Sequence, residues 1–178
     1  MPGREERRDV STKAKLTATV GAGCCAVLLS YVPQFEGKIL RGYADPVGIV
    51  TACSGHTKTA VLGRPYTEAE CEEFLSSDLL EHADGVLKCT PGLKGQTYRL
   101  AAATSWAYNV GVRAYCNSTT ARRFNAGDYA GGCKAMNESD NGTPQWVYAT
   151  KPDGTRIVLQ GLVKRRAIER SMCEGRIG

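Results

Sequence analysis

Polar and apolar positions divide this chain sharply near its start. From Leu16 to Phe35 twenty consecutive residues carry no charge, whereas residues 1–15 carry five positive and three negative side chains. As one helix rising about 1.5 Å per residue, the uncharged run would reach about 30 Å, the thickness of a bilayer's hydrocarbon core. Many of its residues are small or weakly polar (Thr17, Ala18, Thr19, Gly21, Ala22, Gly23, Ala26, Ser30), so little apolar area holds it in lipid. Such a segment can enter a membrane and also leave it, with its positive flank on the cytoplasmic side. Three other readings stay open: a cleaved signal peptide without a convincing A-x-A site, a lipoprotein signal at Gly21-Ala22-Gly23-Cys24, and a buried core helix. Pro33 is expected to end this helix, with no linker before Glu36.

Beyond Phe35 the pattern is mostly helical. Gln34–Arg41 can make two turns stopped by Gly42; Pro46 and Gly48 then bracket a turn, and the β-branched run Ile49–Cys53 suits a strand. Thr67-Glu-Ala-Glu70 is a capping box. Behind it Cys71, Phe74, Leu75, Leu79 and Val86 keep helical spacing, which predicts a helix over Glu68–Leu87. Pro91-Gly92 ends it. Tyr98–Asn109 reads as a buried helix, and Thr119–Asn125 and Asp128–Met136 as short helices separated by Gly127. Asn137–Pro144 is an exposed loop, and Pro152-Asp153-Gly154 is a turn between the runs Gln145–Tyr148 and Arg156–Leu159. Gln160–Cys173 forms the last helix, stopped by Gly175. The expected whole is a mostly helical α+β domain with one small sheet near its start. Three parts follow: a positive flank (1–15), an uncharged segment (16–35) and a globular body (36–178).

Composition narrows the class. Apolar residues make up 42% and charged residues 23% of 178 positions, enough for one packed domain. The net charge of +5 suits an anionic partner, but no basic stripe with interleaved aromatics points to nucleic acid. Eight cysteines suggest an oxidising compartment. With two histidines and no C-x2-C pair, zinc is a poor competing explanation, and neither a metal nor a cofactor is expected.

The chemistry gathers at Glu36, Asp45 and Thr51, which the expected elements place on a helix, on the loop into a hairpin, and on a strand. Two carboxylates on different elements can flank a glycosidic bond. Glu36, Gly37, Tyr43, Asp45, Gly48, Thr51, Cys53, Gly55, His56 and Thr57 together resemble the phage-type lysozymes of glycoside hydrolase family 24. So do Tyr66-Thr67-x-x-Glu70-Cys71, Tyr108-Asn109-Val110-Gly111, Asn125-Ala126-Gly127-Asp128 and Gly161-Leu162-x-x-Arg165-Arg166-x-x-Glu169. The chain's opening is similar to that of the signal-anchor-release endolysins within that family.

The resemblance implies a lysozyme-like fold with a cleft between a hairpin lobe and a helical lobe. It also implies a monomeric muramidase that cuts the β-1,4 link between N-acetylmuramic acid and N-acetylglucosamine during host lysis. Residues 16–35 would tether it, silent, to the host inner membrane, and release would deliver it to the periplasm. Glu36 would be the general acid, and burial beside Phe35, Ile39 or Tyr43 would help it hold a proton. Asp45 would stay ionised and orient a water that Thr51 holds. That reading predicts inversion, with the two carboxyls roughly 6.5–9.5 Å apart. Tyr108 and Asn109 would line the cleft, and His56 would order the hairpin by hydrogen bonding. Glu72, Glu73 and Glu81 are expected on a solvated helix face, and Ser54 and Ser105 lack a base that would make them nucleophiles. Six cysteines allow 15 pairings. We expect Cys53–Cys71, Cys89–Cys116 and Cys133–Cys173, because each pair closes neighbouring element ends and two resemble family positions. Cys24 and Cys25 are then free thiols with a potential regulatory role. Rival functions are a lytic transglycosylase, which needs no placed water, and a tethered wall-binding module without catalysis.

Overall fold

The computed structural model describes residues 11–45 and 48–177. Pro46 and all but the end of the positive flank therefore lie outside the described residues. The chain does not run straight through the uncharged segment. It forms α1 (Thr12–Val20) and α2 (Ala22–Glu36), bent by 118° at Gly21, and among the described residues no single helix is long and apolar enough to cross a membrane. Leu16, Val20, Cys24, Cys25, Leu28 and Val32 make one buried stripe across both helices, so the segment is core here. α1 packs on α3 (Glu68–Cys89), and α2 packs on α4 (Thr97–Val110). The acidic face of α3 meets the flank: Lys13 Nζ lies 2.5 Å from Glu72 Oε1, and the Thr12 amide donates to Glu73.

Two expectations about this region are corrected. Pro33 does not end the helix but sits inside its last turns, where the missing N–H removes only the bond to the Leu29 carbonyl while the buried stripe continues to Val32. Gln34–Arg41 is not a separate helix. Gly37 ends α2 with φ of 71°, and β1 (Ile39–Ala44) begins two residues later.

β1 pairs antiparallel with β2 (Val50–Cys53), placing Tyr43 opposite Thr51 and Ile39 opposite Cys53, with a register shift between. The other edge of β1 bonds to the segment before α3, through Gly42 N to Arg64 O and Tyr66 N to Leu40 O. At Gly42 a Cβ would stand 1.9 Å from the Val61 carbonyl oxygen, so only glycine permits this approach. The capping box forms as expected: the Thr67 side chain accepts from Glu70 N while Glu70 reaches back to Thr67 N.

α4 is the central helix. Leu100 to Ala107 are all buried, and α2, α3, α5 (Val112–Cys116) and α8 (Gln160–Cys173) pack around it. α5 is too short for hydrophobic periodicity to reveal. α6 (Thr119–Asn125) and α7 (Tyr129–Lys134) follow, capped by the Ser118 and Asp128 side chains.

A second two-stranded sheet corrects the expectation of one: β3 (Tyr148–Thr150) pairs with β4 (Arg156–Val158). The first of the two predicted runs starts later than expected because Trp146 has φ of 59°, which interrupts extended backbone, and turns its ring edge-on to Trp106.

Three disulfides join Cys53–Cys71, Cys89–Cys116 and Cys133–Cys173; Cys116 ends short α5 rather than a long helix. With separations of 18, 27 and 40 residues, each restricts the unfolded chain by about 3–4 kcal/mol in the chain-entropy model. Cys24 and Cys25 are free and buried.

Candidate functional site

The site begins where α2 stops. Glu36 is the last helical residue, and the turn at Gly37 leaves its side chain between the hairpin base and the helical lobe. It does not sit in the apolar pocket expected from its neighbours. Ile39 is half exposed, and Phe35 lies under the Arg165 guanidinium, 4.9 Å from ring centre to Cζ. Instead Arg165 Nη1 donates to Glu36 Oε1 at 2.5 Å. Gly55 and Tyr108 stand beside the other oxygen: a Cβ on Gly55 would lie 3.8 Å from both Glu36 Oε2 and the Tyr108 hydroxyl. One carboxyl oxygen is thus held, and the other faces an opening.

Arg165 is itself fixed by α8 and α4. Its Nε donates to Glu169 Oε1 at 3.0 Å and its Nη2 to the Ser105 carbonyl at 3.2 Å. Glu169 is fully buried and also accepts from Ser105 Oγ at 2.8 Å. Arg166 Nη1 approaches Glu169 Oε2 at 2.7 Å, and its other terminal nitrogen donates to Asn109 Oδ1. Burial pushes the Glu169 carboxyl up, against the opposing pull of Arg166 and Arg165, and pushes the Arg166 guanidinium down to about 10. Arg166 therefore stays charged at neutral pH. The network carries position from α8 to both Glu36 and Asn109.

Glu169→Gln should strip two buried guanidinium groups of their shared counter-charge, at a cost of about 3–5 kcal/mol. For a chain of this size that lowers the thermal midpoint by roughly 6–20 °C. A midpoint within a degree of the parent's would show that the network holds nothing together.

Tyr108 and Asn109 lie in the last turn of α4, beside Glu36. With Gly55, Thr57, Lys58, Asp78, Glu81 and His82 they line a crevice of about 240 Å³. Burial first, then the Asp78 and Glu36 carboxylates, push the Tyr108 phenol up, so it remains a donor and bonds the Ser54 carbonyl at 2.8 Å. Glu81 is exposed on the solvated face expected of it, and from there it borders the crevice and pairs with Lys58. On Glu36's other side, Phe35, Asn109, Leu159, Leu162 and Arg165 border a second crevice of about 510 Å³.

Asp45 and Thr51 sit further out on the hairpin and line neither crevice. Asp45 ends the β1 side of the turn, accepting from Ile49 N through Oδ1 at 2.8 Å, with its own amide bonded to Ile49 O. Thr51 is 6% exposed and donates to the Ile49 carbonyl at 3.2 Å. His56 is locked in place: Nδ1 is 2.7 Å from Asp78 Oδ2, Nε2 is 2.8 Å from Thr59 Oγ1, and the ring stacks on Phe74. Sequence reasoning gave no role to Asp78, Ser105, Arg165, Arg166 or Glu169. Polar residues at helical positions that pattern as core, such as Asp78 between Leu75 and Leu79, were the available signal. Among the described residues no cluster of His, Cys, Asp or Glu could hold a metal ion.

The phage lysozyme family model matches residues 33–169. The SAR-endolysin of Enterobacteria phage P21 is 34% identical over 92% of this chain and 95% of its own length. That of Bacteriophage PS119 is 36% identical over 78% of this chain and 75% of its own. Among solved structures, the muramidase domain of SpmX from Asticaccaulis excentricus aligns with a TM-score of 0.71 at 29% identity, covering 83% of this chain and 94% of that domain.

Proposed function

This chain belongs to the phage lysozyme family, and on that premise we propose that it is a muramidase whose catalytic centre is completed by its own releasable anchor. The substrate is peptidoglycan, and the bond cut is the β-1,4 link between N-acetylmuramic acid and N-acetylglucosamine. Cleaving an acetal needs a proton on the leaving oxygen and support for an oxocarbenium-like centre. Glu36 supplies the proton from the oxygen that faces the crevice, while Arg165 holds its partner oxygen still. Asp45 orients the attacking water, and the Thr51 hydroxyl helps to hold it. The observation that carries this reading is the placement of Glu36 at the mouth of a crevice between two lobes, with one oxygen pinned and the other open.

Before release, Leu16–Val32 spans the host inner membrane with the N-terminus inside and the body in the periplasm. Glu36 then lies within a few residues of lipid and cannot reach Arg165. On release the segment folds at Gly21 into α1 and α2, and Glu36 docks. Support comes from the uncharged run itself, from its burial as one stripe against α3 and α4, and from the P21 relative, which aligns with 92% of the chain whereas the family model begins at residue 33. The free thiols Cys24 and Cys25 are core residues in this state, so docking needs no thiol exchange. The released enzyme acts as a monomer.

Proton NMR of a wall digest, read before mutarotation, tests the chemistry. Inversion at a β-link makes reducing muramic acid ends that appear first as the α-anomer. β-anomer first would mean retention. Products lacking a reducing end would indicate a transglycosylase, and no products a binding module.

A further inference from the structure

We propose that the crevice between the β3–β4 hairpin and the loop before it is a second wall-binding subsite, which takes the carboxylate-bearing peptide stems of peptidoglycan. The proposal rests on the muramidase reading and extends it to a part of the substrate the catalytic crevice does not hold. The crevice has a volume of about 440 Å³ and is lined by Ser139, Thr143, Gln145, Trp146, Tyr148 and Arg156, with Pro144 at its edge.

Three features suit it to a ligand rather than to hairpin packing alone. First, Trp146 holds φ of 59°, rare for a bulky residue, and costs strain that only its surroundings sustain. That backbone seats one edge of the indole on Trp106 at 5.0 Å and leaves 36% of the residue exposed at the crevice. Second, Arg156 lies 4.3 Å over the Tyr148 ring, a diagonal cross-strand contact, and its guanidinium makes no hydrogen bond or ion pair among the described residues. Its N–H donors are therefore free for a planar carboxylate. Third, no acidic residue among the described residues lines the crevice, and the acids near it in the chain are engaged: Asp140 by Arg123, Glu138 by Arg170 and Lys134, and Asp153 by the Thr155 amide.

The two sites share a scaffold. Leu159, directly after β4, borders the crevice beside Glu36, and its amide donates to Val147, the residue after Trp146. From Arg156 to Leu159 the strand rises about 10 Å. In intact wall the lactyl groups of muramic acid are amidated, so the free carboxylates sit on the peptide branches. A glycan strand crossing Glu36 would present such a branch within reach of Arg156.

The test uses the full chain carrying Glu36→Gln, so that wall is bound and not consumed, and sedimentation with purified wall. Adding Arg156→Glu should weaken binding to intact wall about tenfold. Binding to glycan strands stripped of their peptides by an amidase should not change, once the lactyl carboxylates so freed are re-amidated and the soluble strands are followed by fluorescence anisotropy. Arg156→Gln should give the same pattern at smaller size, and Arg156→Lys should retain most of the binding. Circular dichroism on each variant confirms the fold, and the Gln variant stands in if Glu is not tolerated. Unchanged binding to intact wall would overturn the subsite. Equal weakening on both materials would overturn its assignment to peptide. Solubilisation of wall by the Glu36→Gln parent is the separate sign that the catalytic reading, not the subsite, has failed.

Discussion

Leucine at both Gly21 and Gly23 should leave the protein in the membrane and the host unlysed. The two substitutions act on both sides of the release equilibrium. In lipid, each added side chain buries apolar area that strengthens the anchor by about 1.5–3 kcal/mol. In the docked state, Gly21 has φ of 87° and ψ of 154°, a region that essentially only glycine adopts, where a side chain costs about 1–3 kcal/mol. A Cβ on Gly23 would stand 3.3 Å from Thr97 Cγ2, so the contact between α2 and α4 must yield by a few tenths of an ångström to take a leucine. A combined shift of about 4 kcal/mol or more moves the tethered-to-released ratio roughly a thousandfold. Membrane fractionation together with the time of lysis reads the outcome. Lysis on the parent's schedule would mean that release of α1 and α2 does not control the enzyme.

That prediction was only half available from the sequence. The length, neutrality and weak apolarity of Leu16–Phe35 were legible, because hydropathy depends on composition alone. How the segment folds against the body was not. Pro33 argued for a break where the chain continues, because the buried contacts of Leu28 and Val32 outweigh one lost hydrogen bond. The bend falls at Gly21, whose left-handed backbone leaves no mark in a periodicity.

The long helices and the capping box were readable for local reasons, spacing and a four-residue cap. The disulfide pairing leaned on family resemblance as well as on element ends, and Cys116 ends the short α5 rather than a long helix. The β3–β4 sheet was blurred because one tryptophan's backbone conformation decided where the first strand began.

At the site, family motifs brought Glu36, Tyr108 and Asn109 into view, and the fold brings these three together. The surroundings of Glu36 were misjudged. Its sequence neighbours suggested an apolar pocket, but the contact that matters comes from Arg165, 129 positions away. Spacing cannot report a partner that only tertiary packing delivers. Asp45 and Thr51 were placed correctly on the hairpin turn and strand.

Catalysis turns finally on Glu36 as the proton donor. Glutamine keeps the shape of the side chain and can still accept from Arg165, but it has no proton to give. Arg165 keeps Glu169 as a counter-ion, so no buried charge is orphaned, and the lost ion pair costs about 1–3 kcal/mol of stability. The fold therefore survives while general-acid catalysis, worth about 10²–10⁴ in rate, is lost. The deciding measurement is the rate at which folded Glu36→Gln releases reducing ends from purified cell wall, compared with the parent enzyme. The account predicts a fall of at least about a hundredfold with the circular dichroism spectrum unchanged. A variant that keeps more than about a tenth of the parent's rate would contradict it.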